Sequence, residues 1–279
     1  MEILEKIKDA GTSPVFLVVV GVLIGYIFFV TLIKVPKVGV IEINGAIMEK
    51  ETADKINEML RYAGEERDIK TVVLEVNSPG GEASASEEIY LNVLKLRSKK
   101  PVVASINQIG ASGAYYISVA ADHIITKPGS NVGSIGVRVS LPRPERLDEN
   151  TITTGPFKDM GSSREGYTRQ GEEIKESFVR AVMTQRGDKL KMTKARLSQA
   201  EIFVGMDAIK LGLIDEIGSN EDAYDRGAEL AGIRNYKLLN INDELGISLT
   251  QLPVFMVNES VLNETNTVPV HYFIYRNFG

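Results

Sequence analysis

Apolar and polar residues follow two regimes along this chain. Val15–Ile33 (VFLVVVGVLIGYIFFVTLI) is almost wholly apolar, and no charged residue stands between Ala10 and Ile33. At 1.5 Å per residue, about 19 such positions cover about 29 Å, the thickness of a bilayer core. A cleaved signal peptide is the competing reading, but the run is long for one. Lys34-Val35-Pro36-Lys37 also follows it without a small-x-small site, so it reads as an uncleaved single-pass anchor. Lys6 and Lys8 before the span, and Lys34 and Lys37 after it, leave the positive-inside count undecided.

From Val38 onward, short apolar runs alternate with stretches of helical spacing. Val38–Asn44, Thr71–Val76 and Pro101–Ile106 read as strands, and Thr52–Tyr62 carries Ile56, Met59 and Leu60 on one helical face. Ser84-Ala85-Ser86-Glu87 has the form of a capping box opening a helix. Further helices are expected at 171–186, 194–199 and 220–231, the last closed by Gly232. The basic run Lys95–Lys100 reads as a solvated helix end. This alternation predicts an α/β fold with a mainly parallel sheet. The expected organisation is a tail over 1–13, a transmembrane helix over 14–34, one domain over 35–237 and an extension over 238–279. The extension is broken by Asp243, Glu244 and Pro253 and cannot span a bilayer; Asn258-Glu259-Ser260 and Asn263-Glu264-Thr265 match glycosylation sequons.

Composition narrows the chemistry. The net charge of −5 and the absence of a strongly basic region speak against nucleic acid as a partner. With no cysteine, thiol catalysis, cysteine metal sites and disulfides are excluded. His123 and His271 are the two histidines, too few for a histidine-rich metal cluster.

The candidate nucleophile is Ser112, set in Gly110-Ala111-Ser112-Gly113-Ala114-Tyr115-Tyr116, where little bulk blocks an approaching carbonyl. Ile117, Val119, Ala120 and Ala121 continue as a helix buried on all sides, whose first turn would favour a developing oxyanion. Alone, such a stretch is more readily a close-packing site. A second loop, Asn77-Ser78-Pro79-Gly80-Gly81, also follows a strand, so both loops should emerge at the carboxyl edge of the sheet, where such folds bind ligands. Gly80 or Gly81 could then supply one oxyanion N–H and Gly113 another. The serine needs a base. On a continuous helix His123 would lie about 16 Å from Ser112, which excludes it. A buried lysine can serve, and Lys158, in Thr154-Gly155-Pro156-Phe157-Lys158-Asp159-Met160, lies outside any clear helix.

Five stretches in order resemble the signal peptide peptidases of the SppA type, membrane-anchored Ser-Lys peptidases of family S49. They are the Asn77–Gly81 loop; Ala111-Ser112-Gly113 with Tyr115-Tyr116-Ile117-Ser118; Gly133-Ser134-Ile135-Gly136-Val137; Phe157-Lys158-Asp159 with Ser163-Arg164-Glu165; and Leu211–Ile217. The resemblance covers roughly Val38 to Ala231. It implies a ClpP/crotonase-like spiral of βα units, with Ser112 as nucleophile, Lys158 as general base and Gly80 or Gly81 with Gly113 as the oxyanion hole. Ser134 would hold the lysine amine neutral and aimed. It further implies no metal or organic cofactor, hydrophobic peptides such as cleaved signal peptides as substrates, and a cell-membrane protein whose catalytic domain faces away from the cytoplasm. The family builds its dyad from two copies of the domain; one copy here implies a homo-oligomeric ring. Ala114 replaces the family's usual second glycine, and the connection from Val137 to Lys158 is short. A peptide substrate is expected to add as a strand beside the Asn77–Gly81 loop. The rival readings are a related membrane Ser-Lys peptidase with a defined protein substrate and a stomatin-like partner, a crotonase-like acyl-CoA enzyme, and a catalytically silent scaffold.

Overall fold

Runs such as Val38–Ile41 and Val72–Leu74 suit strands covered on both faces, and the computed structural model of the chain shows how they are covered. It describes residues 14–32, 35–141, 152, 154–155, 157–158, 160–249 and 271–274. Two compact units are present, Met1–Pro36 and Lys37–Gly279. In the first, α1 (Pro14–Leu32) is a helix of 19 residues, with side chains described as far as Tyr26. Among the described residues no helix is long and apolar enough to cross a membrane.

The second unit begins with β1 (Lys37–Asn44), α2 (Lys50–Glu65), β2 (Ile69–Ser78), β3 (Gly80–Glu82), α3 (Ala83–Arg97), β4 (Val102–Ala111), α4 (Gly113–Ser118), β5 (His123–Thr126), β6 (Asn131–Gly133) and β7 (Arg138–Val139). It continues with α5 (Arg164–Arg186), α6 (Lys194–Leu197), β8 (Ile202–Val204), α7 (Gly205–Lys210), β9 (Glu216–Ile217), α8 (Asn220–Leu230), β10 (Lys237–Asn240), α9 (Ile241–Glu244) and β11 (His271–Ile274). The main sheet has the order β10-β1-β2-β4-β5-β9, parallel throughout. β6 adds to β4 in parallel, and β8 joins β6 antiparallel, so the sheet is mixed. A second sheet, β3-β11-β7, is antiparallel at both pairings.

Strand periodicity divides the apolar runs between two cores. Ile41, Ile43, Leu74, Val102 and Ile106 meet Ile56, Met59, Ile89, Tyr115 and Phe178 in the larger one. Val38, Val40, Val73 and Val103 face the other way, onto Ala223, Tyr224 and Ala228 of α8.

Four local expectations change. The N-cap of α3 is Glu82, whose carboxylate accepts from the N–H groups of Ser84 and Ala85, rather than a box starting at Ser84. The capping box belongs instead to α8, between Ser219 and Asp222. The helix after Ser112 stops at Ser118, and His123 opens a strand. Lys100 is more than a solvated residue: its Nζ donates to the carbonyls of Ala63 (2.6 Å) and Glu66 (2.5 Å), closing the end of α2. β10 straddles the expected boundary at 237/238 and extends the sheet beside β1. The 1–13 tail, most of the Val137-to-Lys158 connection and both sequons lie outside the described residues.

Candidate active site

Ser112 stands where β4 turns into α4, with φ 55° and ψ −123°. A non-glycine residue in that region costs about 1–3 kcal/mol and persists only where its surroundings hold it. They do so here: the Ser112 N–H donates to the Gly133 carbonyl at 2.7 Å, and the Ser112 carbonyl accepts from Tyr116 N–H at 2.9 Å. Tyr115, fully buried, donates its hydroxyl to the Leu213 carbonyl at 2.8 Å. Tyr116 packs between Tyr90 and Phe178, at 4.6 Å from each ring centroid. Burial pushes its hydroxyl up to about 12, so it stays neutral beside Ser177 Oγ. At six residues α4 has a weak dipole. What it offers an oxyanion is the first-turn N–H groups, Gly113 foremost, which have no partner within the helix.

The second loop is brought against this turn. Ser78 on β2 pairs in register with Gly110 on β4, and β3 packs against α4. Gly80, at φ 94°, donates its N–H to Ser78 Oγ at 3.1 Å, a bond it would have to give up to bind an oxyanion. Its neighbour is fixed by close approach: a Cβ on Gly81 would sit 1.9 Å from the Ile47 carbonyl oxygen. Around it, Ile47 N–H donates to Gly80 O (2.9 Å) and Glu82 N–H to Ile47 O (2.8 Å). The glycine pair thus forms a rigid rim beside Ser112.

Ser134 follows Gly133 directly and also has φ 55°, its N–H donating to Glu201 O at 2.8 Å. The structure therefore gathers Ser112, Gly113, Gly80, Gly81 and Ser134 around the ends of β2, β4 and β6. Lys158 is not gathered with them. Its side chain is exposed, its own N–H donates to Gly155 O at 3.3 Å, and among the described residues no hydrogen bond joins it to Ser112 or Ser134. Among the described residues, nothing supplies the burial expected of this lysine.

Other pairings do not compete. His123 Nε2 sits 2.9 Å from Glu216 Oε2. It lies beside Val103, roughly 30 Å of strand from Ser112. His271, within the extension over 238–279, lies on β11. A different serine–lysine contact exists: Lys127 Nζ donates to Ser105 Oγ (3.3 Å) and to the amide oxygens of Asn107 and Asn220 (2.5 Å each). Burial lowers the Lys127 pKa, but Ser105 is wholly buried and no substrate reaches it. Among the described residues no group of three or more His, Asp or Glu side chains could hold a metal.

One ion pair between distant segments has no signal in the sequence pattern. Arg186, at the end of α5, forks onto Asp215 with bonds of 2.8 and 2.9 Å, and Lys189 adds a third of 2.7 Å. Asp215 also accepts from the Ile124 N–H at 2.9 Å, tying α5 to β5. Its place in Leu211–Ile217 marked it without revealing the partner.

The pattern that defines peptidase family S49 matches residues 95–234. A candidate protease of Methanocaldococcus jannaschii is 36% identical over 202 residues, which are 67% of this chain and 65% of that protein. Protease 4 of Haemophilus influenzae is 32% identical over 219 residues, 71% of this chain but 35% of its own length. The chain thus spans less than two thirds of either relative. A solved membrane-bound stomatin-specific protease aligns over 68% of this chain and 84% of its own, at 19% identity and a TM-score of 0.46.

Proposed function

The chain belongs to peptidase family S49, and from that premise we propose that it is a serine endopeptidase acting through Ser112 and Lys158. Ser112 Oγ attacks the scissile carbonyl while the Lys158 amine takes its proton. The Gly113 N–H and that of Gly80 or Gly81 hold the tetrahedral oxyanion, and Ser134 orients the amine. The lysine then gives the proton to the leaving amine, and water releases the acyl group by the same route in reverse. The observation that carries this reading is the strained turn of Ser112, braced through Gly133 and rimmed by Gly80 and Gly81. The exposure of Lys158 supports a dyad completed by a second copy, in a ring of ClpP/crotonase-like domains.

The substrates are hydrophobic peptides, cleaved signal peptides among them, with small or aliphatic residues at the cut bond. The uncharged apolar run Val15–Ile33 supports a cell-membrane anchor over 14–34, and the likeness to the family supports a catalytic domain outside the cytoplasm. Labelling with a fluorophosphonate probe tests the nucleophile: wild type should be labelled and Ser112→Ala should not. Equal labelling of both would overturn the assignment.

A further inference from the structure

The lysine beside buried Ser105 is held at a distance from its counter-charge by two side-chain amides. Lys127 Nζ donates to Asn107 Oδ1 and to Asn220 Oδ1, at 2.5 Å each. Both amides turn their other ends to Glu75: Asn220 Nδ2 donates to its Oε2 at 2.7 Å, and Asn107 Nδ2 to the same oxygen at 3.4 Å. An ammonium can only donate and a carboxylate can only accept, so the charges at the two ends fix the orientation of both amides between them. Tyr224 donates its hydroxyl to Glu75 Oε1, and Ser105 Oγ donates to Asn220 Oδ1 at 2.8 Å. Glu75 also lies opposite Glu42 across the β1–β2 ladder, a pairing of like charges that the cation offsets.

This bridge joins the three elements whose ends carry the candidate site. Glu75 is on β2, three residues before Ser78 and the loop with the glycine pair; Asn107 is on β4, five residues before Ser112. Lys127 follows β5 and opens the turn into β6, where Gly133 accepts the Ser112 N–H. That turn is clamped: Ser130 N–H donates to Lys127 O at 3.2 Å, Ser130 Oγ to the Asn107 carbonyl, and Gly205 N–H to Ser130 O at 2.9 Å. A Cβ on Gly205 would come within 2.2 Å of the Lys127 carbonyl oxygen, so the start of α7 is packed on the turn as well. Glu75 and Asn107 follow Val73 and Val103 at even spacing and so share the face that α8 covers. About 10–17 Å of strand separate them from the loops above.

We infer that Lys127 is a positioning residue: through Asn107 and Asn220 it fixes β2, β4 and the turn into β6 against one another, and so sets Ser112 relative to its oxyanion rim. This rests on the peptidase reading above and deepens it. The amine touches no substrate and acts through backbone geometry, where a displacement of about 1 Å at the reacting atoms can cost on the order of a hundredfold. A neutral side chain at 127 would leave Glu75 beside Glu42 with no cation bonded into the bridge, and both amides would be free to turn over. Ser112 and Ser134, each at φ 55°, would relax first, because such conformations persist only while their neighbours enforce them.

The test compares the full chain with its Lys127→Met variant. kcat should fall at least about tenfold with KM within about twofold, the pattern of lost transition-state geometry rather than lost binding. Adding Glu75→Gln should cost no more than about twofold further, because both ends belong to one unit. Hydrogen exchange reads the same geometry without turnover: the Ser112 and Ser134 N–H groups should exchange at least about tenfold faster in Lys127→Met, while those of α2 keep their wild-type rates. If Lys127→Met melts well below wild type, Asn220→Asp takes its place with the same expected changes. An acidic residue suits the first turn of α8, yet it sets a carboxylate where Glu75 needs a donor. Unchanged exchange at Ser112 overturns the inference whether or not the protein cleaves peptides. An unchanged kcat, or losses that multiply in the double variant, also overturns it. A wild-type protein without turnover strikes the peptidase reading and leaves the exchange measurement to decide.

Discussion

The backbone N–H of Ser112 donates to the carbonyl of Gly133 at 2.7 Å. That bond joins the turn carrying the candidate nucleophile to the loop carrying Ser134, so two serines in unfavourable backbone conformations brace one another. Strain at a site persists where the surrounding structure over-determines it, and here the last pairs of the β4–β6 ladder do so.

The strain at Ser112 can be measured. Ser112→Ala and Ser112→Gly should both abolish turnover, but glycine accepts φ 55° without a Cβ penalty. Ser112→Gly should be more stable than Ser112→Ala by about 1 kcal/mol, or about 2–4 °C in Tm. Thermal melts of the pair check this; a less stable glycine variant would show that the turn is unstrained.

Gly81→Ala should cost at least about tenfold in kcat/KM. The added Cβ would meet the Ile47 carbonyl oxygen at 1.9 Å, so the strand carrying the proposed oxyanion donors has to move. Turnover within twofold of wild type would remove this rim from the mechanism.

Lys158→Ala should be inactive. Mixed with Ser112→Ala in one assembly, it should regain roughly a quarter of wild-type activity, because random placement unites an intact serine with an intact lysine at one site in four. Mixed rings with no recovered activity would place the dyad within one chain.

His271→Ala tests the alternative in which a histidine is the base. It should retain turnover at or above wild type, since β11 belongs to the tail and not to the proposed dyad. A loss of about a thousandfold or more, as for a missing base, would point to His271.

Arg186→Ala should destabilise the protein by about 3 kcal/mol, because it strips a buried carboxylate of its fork. Burial alone would push the Asp215 carboxyl up, but hydrogen bonds from Arg186 and Lys189 outweigh it and hold the group far below the usual carboxylate range. Its folded pKa is therefore depressed, and the stability it contributes is complete above about pH 4 and lost as the pH falls. Urea unfolding at pH 7 and pH 3 should show the gap between wild type and variant shrinking in acid. A gap independent of pH would mean that the pair contributes nothing ionic.

The sequence by itself determined the elements whose cause is local. Val38–Asn44 and Thr71–Val76 read as strands because each is a short, mostly apolar run rich in β-branched residues, and Ser112 and the Gly80-Gly81 pair stood out because small residues after strands leave room for a substrate. Tertiary structure decided the rest. α4 ends at Ser118 because the chain must return to build β5 beside β4, an end that apolar continuity through Ala121 concealed. Glu82 displaced Ser84 as a cap because β3 runs directly into α3. Arg186 finds Asp215, Gly133 finds Ser112, and Phe273 lies opposite Gly81 only once the sheet has brought distant segments together. Periodicity reports what a residue's near neighbours require. Which edge a distant strand pairs with depends on the geometry of the assembled sheet, and no spacing along the chain carries that information.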